Sequence, residues 1–252
     1  MNIIYGPVPS WRFGRSLGVD PICSREKICS FDCVYCQLGK TGTLTTERKE
    51  YVPYSQMCEQ LESADKGTTD VITFSGTGEP TLNTSLGKMI LFAKKFGFPV
   101  VVLTNSSFLH LPEVRAALLN ADIVSAKLDV PSESLFREIN RPAPGIHFDS
   151  VLEGLRAFRK EFGGKLALQM MFIDANKGAA PEMAELARSL EPDEVQLDTP
   201  LRPSPAPPLS PEEMGKIEKH FQGLPFISVY KKEKPSVLPL DAEETGMRRP
   251  EY

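Results

Sequence analysis

The apolar positions beyond residue 55 fall into two alternating rhythms. Met57, Leu61 and Ala64 recur at helical spacing, and the run Val71-Ile-Thr-Phe behind them is continuous, apolar and of strand length. The pair then repeats. Leu86, Met89, Ile90 and Ala93 predict a helix reaching Phe96, before a buried strand Val100-Val-Val-Leu. Val114, Ala117 and Leu118 mark a short helix ahead of a strand over residues 123–128, and Leu135, Phe136 and Ile139 another, stopped by Arg141-Pro142. The longest stripe, Phe148, Val151, Leu152, Leu155, Phe158 and Phe162, ends at Gly163-Gly164 and leads to a strand over 166–173. Met183, Leu186, Ala187 and Leu190 give a further helix before the strand Val195-Gln-Leu-Asp. Ser210, Pro211 and Glu213 form a capping box that starts the last helix, and a further strand is expected at 226–230. The tail beyond, with Lys231-Lys-Glu-Lys and Arg248-Arg, is polar.

Upstream, residues 6–15 are rich in glycine and proline and read as turns, and Ser16-Leu-Gly-Val-Asp reads as a short strand closed by Pro21. That makes six strands alternating with helices. Such a chain predicts an α/β fold with a parallel sheet and right-handed crossovers, either an open doubly wound sheet or a partial barrel. Chemistry then belongs at the carboxyl ends of the strands. Polar residues fall there: Ser75-Gly-Thr-Gly-Glu-Pro, Thr104-Asn-Ser-Ser, Lys127-Leu-Asp and Asp198-Thr-Pro.

Composition narrows the class. At 252 residues, 41% hydrophobic and 25% charged, the chain suits one large globular domain. A net charge of −4 gives no general pull toward nucleic acid or anionic membrane. No apolar run approaches the ~20 residues that span a bilayer, and the N-terminus lacks the regions of a secretory signal, so a cytoplasmic location with no membrane partner is expected. Five cysteines, most of them early in the chain, point to metal or redox chemistry rather than to disulfides.

Three of those cysteines, Cys29, Cys33 and Cys36, stand within eight residues. Three thiols are one short of a closed tetrahedral zinc site, but they suffice for an iron–sulfur cubane with one iron left open to a ligand. A structural zinc site, in a non-catalytic binding or interaction module, would need Cys23 or Cys58 as fourth ligand. The third reading, buried apolar cysteines, is disfavoured by the polar loop around them. The glycines of Ser75, Gly76, Thr77, Gly78 and Glu79 bring backbone close to a ligand, and a carboxylate at a strand end suits an ammonium group. Asn105 lies at the next strand exit. Alternation places Ser125, Lys127 and Asp129 on one face, where Lys127 and Asp129 are spaced for an ion pair.

Cys-x3-Cys-x2-Cys with Tyr35 before its last cysteine resembles the signature of the radical S-adenosylmethionine (SAM) superfamily, and the Gly76–Glu79 stretch resembles its glycine-glutamate motif. Gly6-Pro-Val-Pro-Ser, Phe31-Asp-Cys-Val-Tyr-Cys-Gln, Ile139-Asn-Arg-Pro and Val195-Gln-Leu-Asp-Thr-Pro further resemble a group of iron–sulfur oxidoreductases related to the enzymes that make the wyosine base of tRNA. The resemblance implies a partial (β/α)6 barrel over residues 1–200 with a C-terminal extension, 201–252, packed on it. It implies a [4Fe–4S] cluster on Cys29, Cys33 and Cys36 that binds SAM and cleaves it to methionine and a 5′-deoxyadenosyl radical. Tyr35 would lie by the adenine and Ser75, Gly76, Thr77, Gly78 and Glu79 by the methionine amino group. Asn105, Ser125, Lys127 and Asp129 would meet the ribose or carboxylate. A reductant such as flavodoxin or ferredoxin is implied as a partner, and the substrate class stays open among peptide, small molecule and RNA. For RNA, the candidate basic rim is Arg12, Arg15, Arg25, Lys27 and the tail cations. Trp11 and Thr77 depart from the group's pattern, and only Cys23 precedes the triplet where the wyosine enzymes have three further cysteines. A wyosine-type reaction is therefore disfavoured.

Overall fold

The structure, a computed structural model, describes residues 1–250. A hairpin of β1 (Ile4–Ser10) and β2 (Gly14–Val19) opens the chain. The thiol loop follows, its flanks paired as the short strands β3 (Ile28–Cys29) and β4 (Thr43–Leu44). Helix α1 (Tyr54–Ser63), β5 (Val71–Phe74), α2 (Leu86–Ala93), β6 (Val100–Thr104), α3 (Pro112–Leu118) and β7 (Ile123–Lys127) come next. The single turn α4 (Glu133–Leu135) runs into a π-helical turn, Phe136–Asn140. Then come α5 (Phe148–Glu161), β8 (Lys165–Met171), α6 (Ala180–Leu190), β9 (Glu194–Asp198), α7 (Pro211–Glu218), β10 (Phe226–Ser228) and α8 (Ala242–Arg248).

Eight strands form one curled sheet in the order β1-β2-β5-β6-β7-β8-β9-β10. From β2 to β10 every neighbour is parallel, and only β1 runs antiparallel, at one edge. The six expected strands are β2 and β5 to β9, a half-barrel, with β1 and β10 added at its two edges. Of the turns expected over residues 6–15 only 11–13 form one: Pro7 and Pro9 lie in an edge strand, where a missing N–H costs no ladder bond on the free side. The polar tail also differs, since it contains α8.

The core lies between the outer face of the sheet and its helices. In α5 the expected stripe is buried, with Leu155 and Phe158 fully so, each such side chain contributing roughly 1.5–3 kcal/mol. The inner face is polar instead. Ser16 bonds Thr73 at 2.7 Å, Ser125 bonds Gln196 at 2.9 Å, and Gln169 donates to Asp198 at 2.9 Å. A half-barrel lined this way holds a cavity rather than a packed centre.

Candidate functional site

That cavity, about 280 Å³, opens at the carboxyl ends of the parallel strands. Cys29, Cys33, Tyr35 and Cys36 line it, as do Ser75, Gly76, Gly78, Glu79, Asn105, Ser125 and Lys127. Of the residues singled out from sequence, Thr77 and Asp129 stand behind the wall rather than in it. Thr77 donates its amide (3.1 Å) and hydroxyl (2.9 Å) to Asp20 and accepts from the Ser24 amide at 3.0 Å, so it anchors the loop that leads to the thiols.

The thiol loop is pinned on both sides. The Ile28 carbonyl accepts from the Glu79 amide at 3.3 Å, and a Cβ on Gly78 would lie 1.7 Å from that same oxygen. Only glycine lets the strand exit and the thiol loop approach so closely. On the other side, the Asp32 and Val34 amides donate to the carbonyls of Asn140 (3.0 Å) and Ile139 (2.9 Å), and the Ala143 amide donates to Ser30 at 2.8 Å. Asn140, which the sequence marked only as part of Ile139-Asn-Arg-Pro, has a role there. Its side chain donates to Asp129 at 2.9 Å, to the Tyr35 hydroxyl at 3.2 Å and to the Cys33 sulfur at 3.5 Å. Tyr35 in turn donates to Asp129, whose second oxygen accepts from the Met171 amide at 2.9 Å. Burial, and then the Asp129 carboxylate, push the Tyr35 phenol well above its ordinary range. The expected pair is present at the edge of ion-pair range: Lys127 Nζ lies 3.9 Å from Asp129 and 5.0 Å from the centre of the Tyr35 ring.

Glu79 is 2% exposed and accepts four hydrogen bonds: the Thr81 amide (3.1 Å) and hydroxyl (2.6 Å), the Thr104 hydroxyl (2.6 Å) and the Asn105 amide (2.7 Å). Burial lifts its pKa against those four donors. The carboxylate thus ties the exit of β5 to that of β6, and it meets the cavity with its hydrogen-bonding capacity largely committed. Ser75 is likewise engaged, with Tyr5 at 2.7 Å and Arg249 at 2.9 Å.

The donors around the sulfurs suit thiolates. Cys29 Sγ accepts from the Phe31 amide at 3.5 Å and from Asn105 Nδ2 at 3.6 Å. With thiols alone, burial pushes Cys29 up to about 12 and Cys33 above its ordinary value. Lys27 is buried beside them; burial opposes its charge, but Cys36, Cys29 and Cys33 outweigh that and raise its pKa. Three sulfurs, two of them met by N–H donors and all three beside the Lys27 ammonium, are a ligand set that suits a three-thiolate cluster, and the site fits that group. Among the described residues, no three His, Cys, Asp or Glu side chains are gathered closely enough to hold a single metal ion. Neither candidate for a fourth zinc ligand lines the cavity: Cys23 faces Arg248 (3.5 Å) and the Met1 carbonyl (3.8 Å), and Cys58 sits on α1.

Further cavity residues come from elements that periodicity undervalues. Arg12, in the β1–β2 turn, donates toward Gln196 (3.3 Å) and Ser125 (3.5 Å). Gln169 and Asp198 reach in from β8 and β9, and Arg249 from beyond α8. A glutamine inside an apolar parallel strand was the available signal for Gln169 and Gln196. Of the candidate basic rim, Arg12, Lys27 and the tail cations Lys234 and Arg249 line the cavity, whereas Arg15 pairs with Asp70 at 2.6 Å on the surface and Arg25 is exposed.

The sequence model of the Radical SAM superfamily matches residues 27–187. A UPF0026 protein of Synechocystis sp. is 42% identical over 204 residues, 80% of this chain and 77% of its own. Among solved structures, a radical SAM methyltransferase from Sphaerobacter thermophilus superposes with a TM-score of 0.63 at 20% identity. That match covers 84% of this chain and 65% of the methyltransferase, just under two thirds of its length. The structure of TYW1 with a lysine-pyruvate adduct bound gives 0.61 at 18% identity, covering 85% and 76%.

Proposed function

This chain belongs to the radical SAM superfamily, and on that premise we propose that it binds a [4Fe–4S] cluster through Cys29, Cys33 and Cys36 and cleaves SAM to initiate a radical reaction. The observation that carries this reading is the meeting of three thiols with the Gly76–Glu79 strand exit on one cavity that, among the described residues, no fourth thiol lines. When bound, the cluster supplies the single electron that splits SAM into methionine and a 5′-deoxyadenosyl radical, which takes a hydrogen atom from the substrate. A flavodoxin or ferredoxin is the class of reductant we assign.

The chain's own residues bind, orient and shield. Asn105 and Asn140 direct N–H groups at Cys29 and Cys33, favouring their deprotonated forms. Gly76 and Gly78 leave their backbone accessible to the ammonium group of SAM, and Glu79 fixes that backbone by bonding across to β6. Tyr35, held by Asp129 and Asn140, offers a fixed ring edge beside the adenine. Ser125 and Lys127 face the ribose and carboxylate side of the cavity, with Asp129 supporting Lys127 from behind. We further assign residues 1–200 to the catalytic half-barrel and 201–252 to an extension that shields it, because Arg202, Lys234 and Arg249 line the cavity.

Anaerobic reconstitution with iron and sulfide, followed by dithionite and SAM, is expected to release 5′-deoxyadenosine, and Cys33→Ala is expected to abolish it. A fully loaded protein that releases none would refute the reading.

A further inference from the structure

One cavity wall is not accounted for by the cluster or by SAM. We propose that Arg12 and Arg249 form a binding site for an oxyanion group carried by the substrate, a phosphate or a carboxylate; this rests on the radical SAM reading of the same cavity.

Both guanidiniums line the cavity, and both are held there by neutral partners. Arg12 Nη1 reaches Gln196 Oε1 (3.3 Å) and Ser125 Oγ (3.5 Å), while its guanidinium lies 5.9 Å and 5.2 Å from the ring centres of Trp11 and Phe13. Arg249 donates to Ser75 Oγ at 2.9 Å and to the Arg248 carbonyl at 3.0 Å. Among the described residues, neither makes an ion pair with a carboxylate. Burial and the charge of Arg249 both disfavour the charge on Arg12, with Asp198 the principal offset. Two half-buried guanidiniums on one cavity, neither answered by an ion pair, are costly unless an anion joins them. A planar fork is the donor geometry that takes phosphate or carboxylate two oxygens at a time.

The charge balance of the whole cavity points the same way. Lys27, Arg12, Lys127, Lys234 and Arg249 line it against two carboxylates, Glu79 and Asp198, with Asp129 behind Lys127. The proposed cluster with its three thiolates carries one net negative charge and SAM one net positive charge, so these cancel and the cationic excess stands. A neutral or cationic substrate would leave that excess unanswered. An anionic one answers it and would be drawn into the cavity by it.

The test is calorimetric titration of the anaerobically reconstituted, cluster-loaded protein with inorganic phosphate and, separately, with acetate, each with and without saturating SAM. Binding of at least one anion is expected in the presence of SAM, and Arg12→Gln and Arg249→Gln should each weaken it about tenfold or more. Arg12→Lys should recover part of the affinity, which separates loss of the fork from loss of the fold. Arg15→Gln, on the surface beside Asp70, should leave anion binding as in the wild type. The stronger of the two anions identifies the substrate group. The proposal is overturned if neither anion binds, if binding survives both glutamine substitutions, or if SAM displaces the anion, which would assign the pair to the SAM carboxylate. Release of 5′-deoxyadenosine from the same preparation reads the underlying function separately, so the two ideas fail on different measurements.

Discussion

Gly78 is the residue at which the two halves of the site touch. A methyl group there would meet the Ile28 carbonyl, a backbone atom that cannot move without carrying Cys29 with it. Gly78→Ala should therefore cost about 1–3 kcal/mol by overpacking and lower the iron bound per chain after reconstitution. A variant with wild-type iron content and denaturation midpoint would show that the loop yields. The thiol triplet and the glycine exit were legible at this scale because unusual residue types at fixed spacing carry the signal. The roles of Asn140 and Asp20 were not: each is an ordinary polar residue whose importance comes from burial among several donors and acceptors, and burial is set by tertiary contacts. Thr77 shows the converse, a residue within the motif whose side chain turns to Asp20 and away from the cavity.

At the scale of elements, the alternation of two periodicities found the six central strands and the helices between them, because each buries one face against the next layer. It missed β1, where prolines and glycine mimic turn chemistry on an edge strand. The capping box of α7 was readable and is present, with Ser210 and Glu213 bonding reciprocally. It also carries a pH dependence. A hydrogen bond from Lys177, and then those from Ser210, hold Glu213 down at about 2 from an ordinary 4.5. A carboxylate depressed on folding stabilises the native state above its unfolded value, and that contribution disappears as pH falls through the folded one. Glu213→Gln should thus melt below the wild type at neutral pH, with the gap closing between pH 4.5 and 2. A gap independent of pH would assign the difference to helix capping alone.

For the whole molecule, the decisive contact is a buried charge. Arg248 is fully buried, bonds Asp20 at 2.9 Å, Glu244 at 2.8 Å and the Asn2 carbonyl at 2.6 Å, and stands 4.9 Å from the Tyr5 ring centre. Sequence patterns take an arginine in a polar tail to be solvated, which is why α8 was invisible to them. Arg248→Met would leave Asp20 without its counter-charge and is expected to cost about 3–5 kcal/mol in chemical denaturation. A loss below about 1 kcal/mol would mean that the amides and hydroxyl around Asp20 hold its charge unaided. No helix among the described residues is long and apolar enough to cross a membrane.

The Arg248–Asp20 bond also sets an order of events. Its partners are 228 positions apart, whereas Ile28 and Gly78 are neighbours across only fifty. Closing the longer loop costs roughly 1 kcal/mol more in chain entropy, which favours the thiol loop meeting its glycine exit before the arginine arrives. Before Arg248 is in place, the cavity is open on the side that Arg249 lines, and the proposed cluster would have its way to the thiols there.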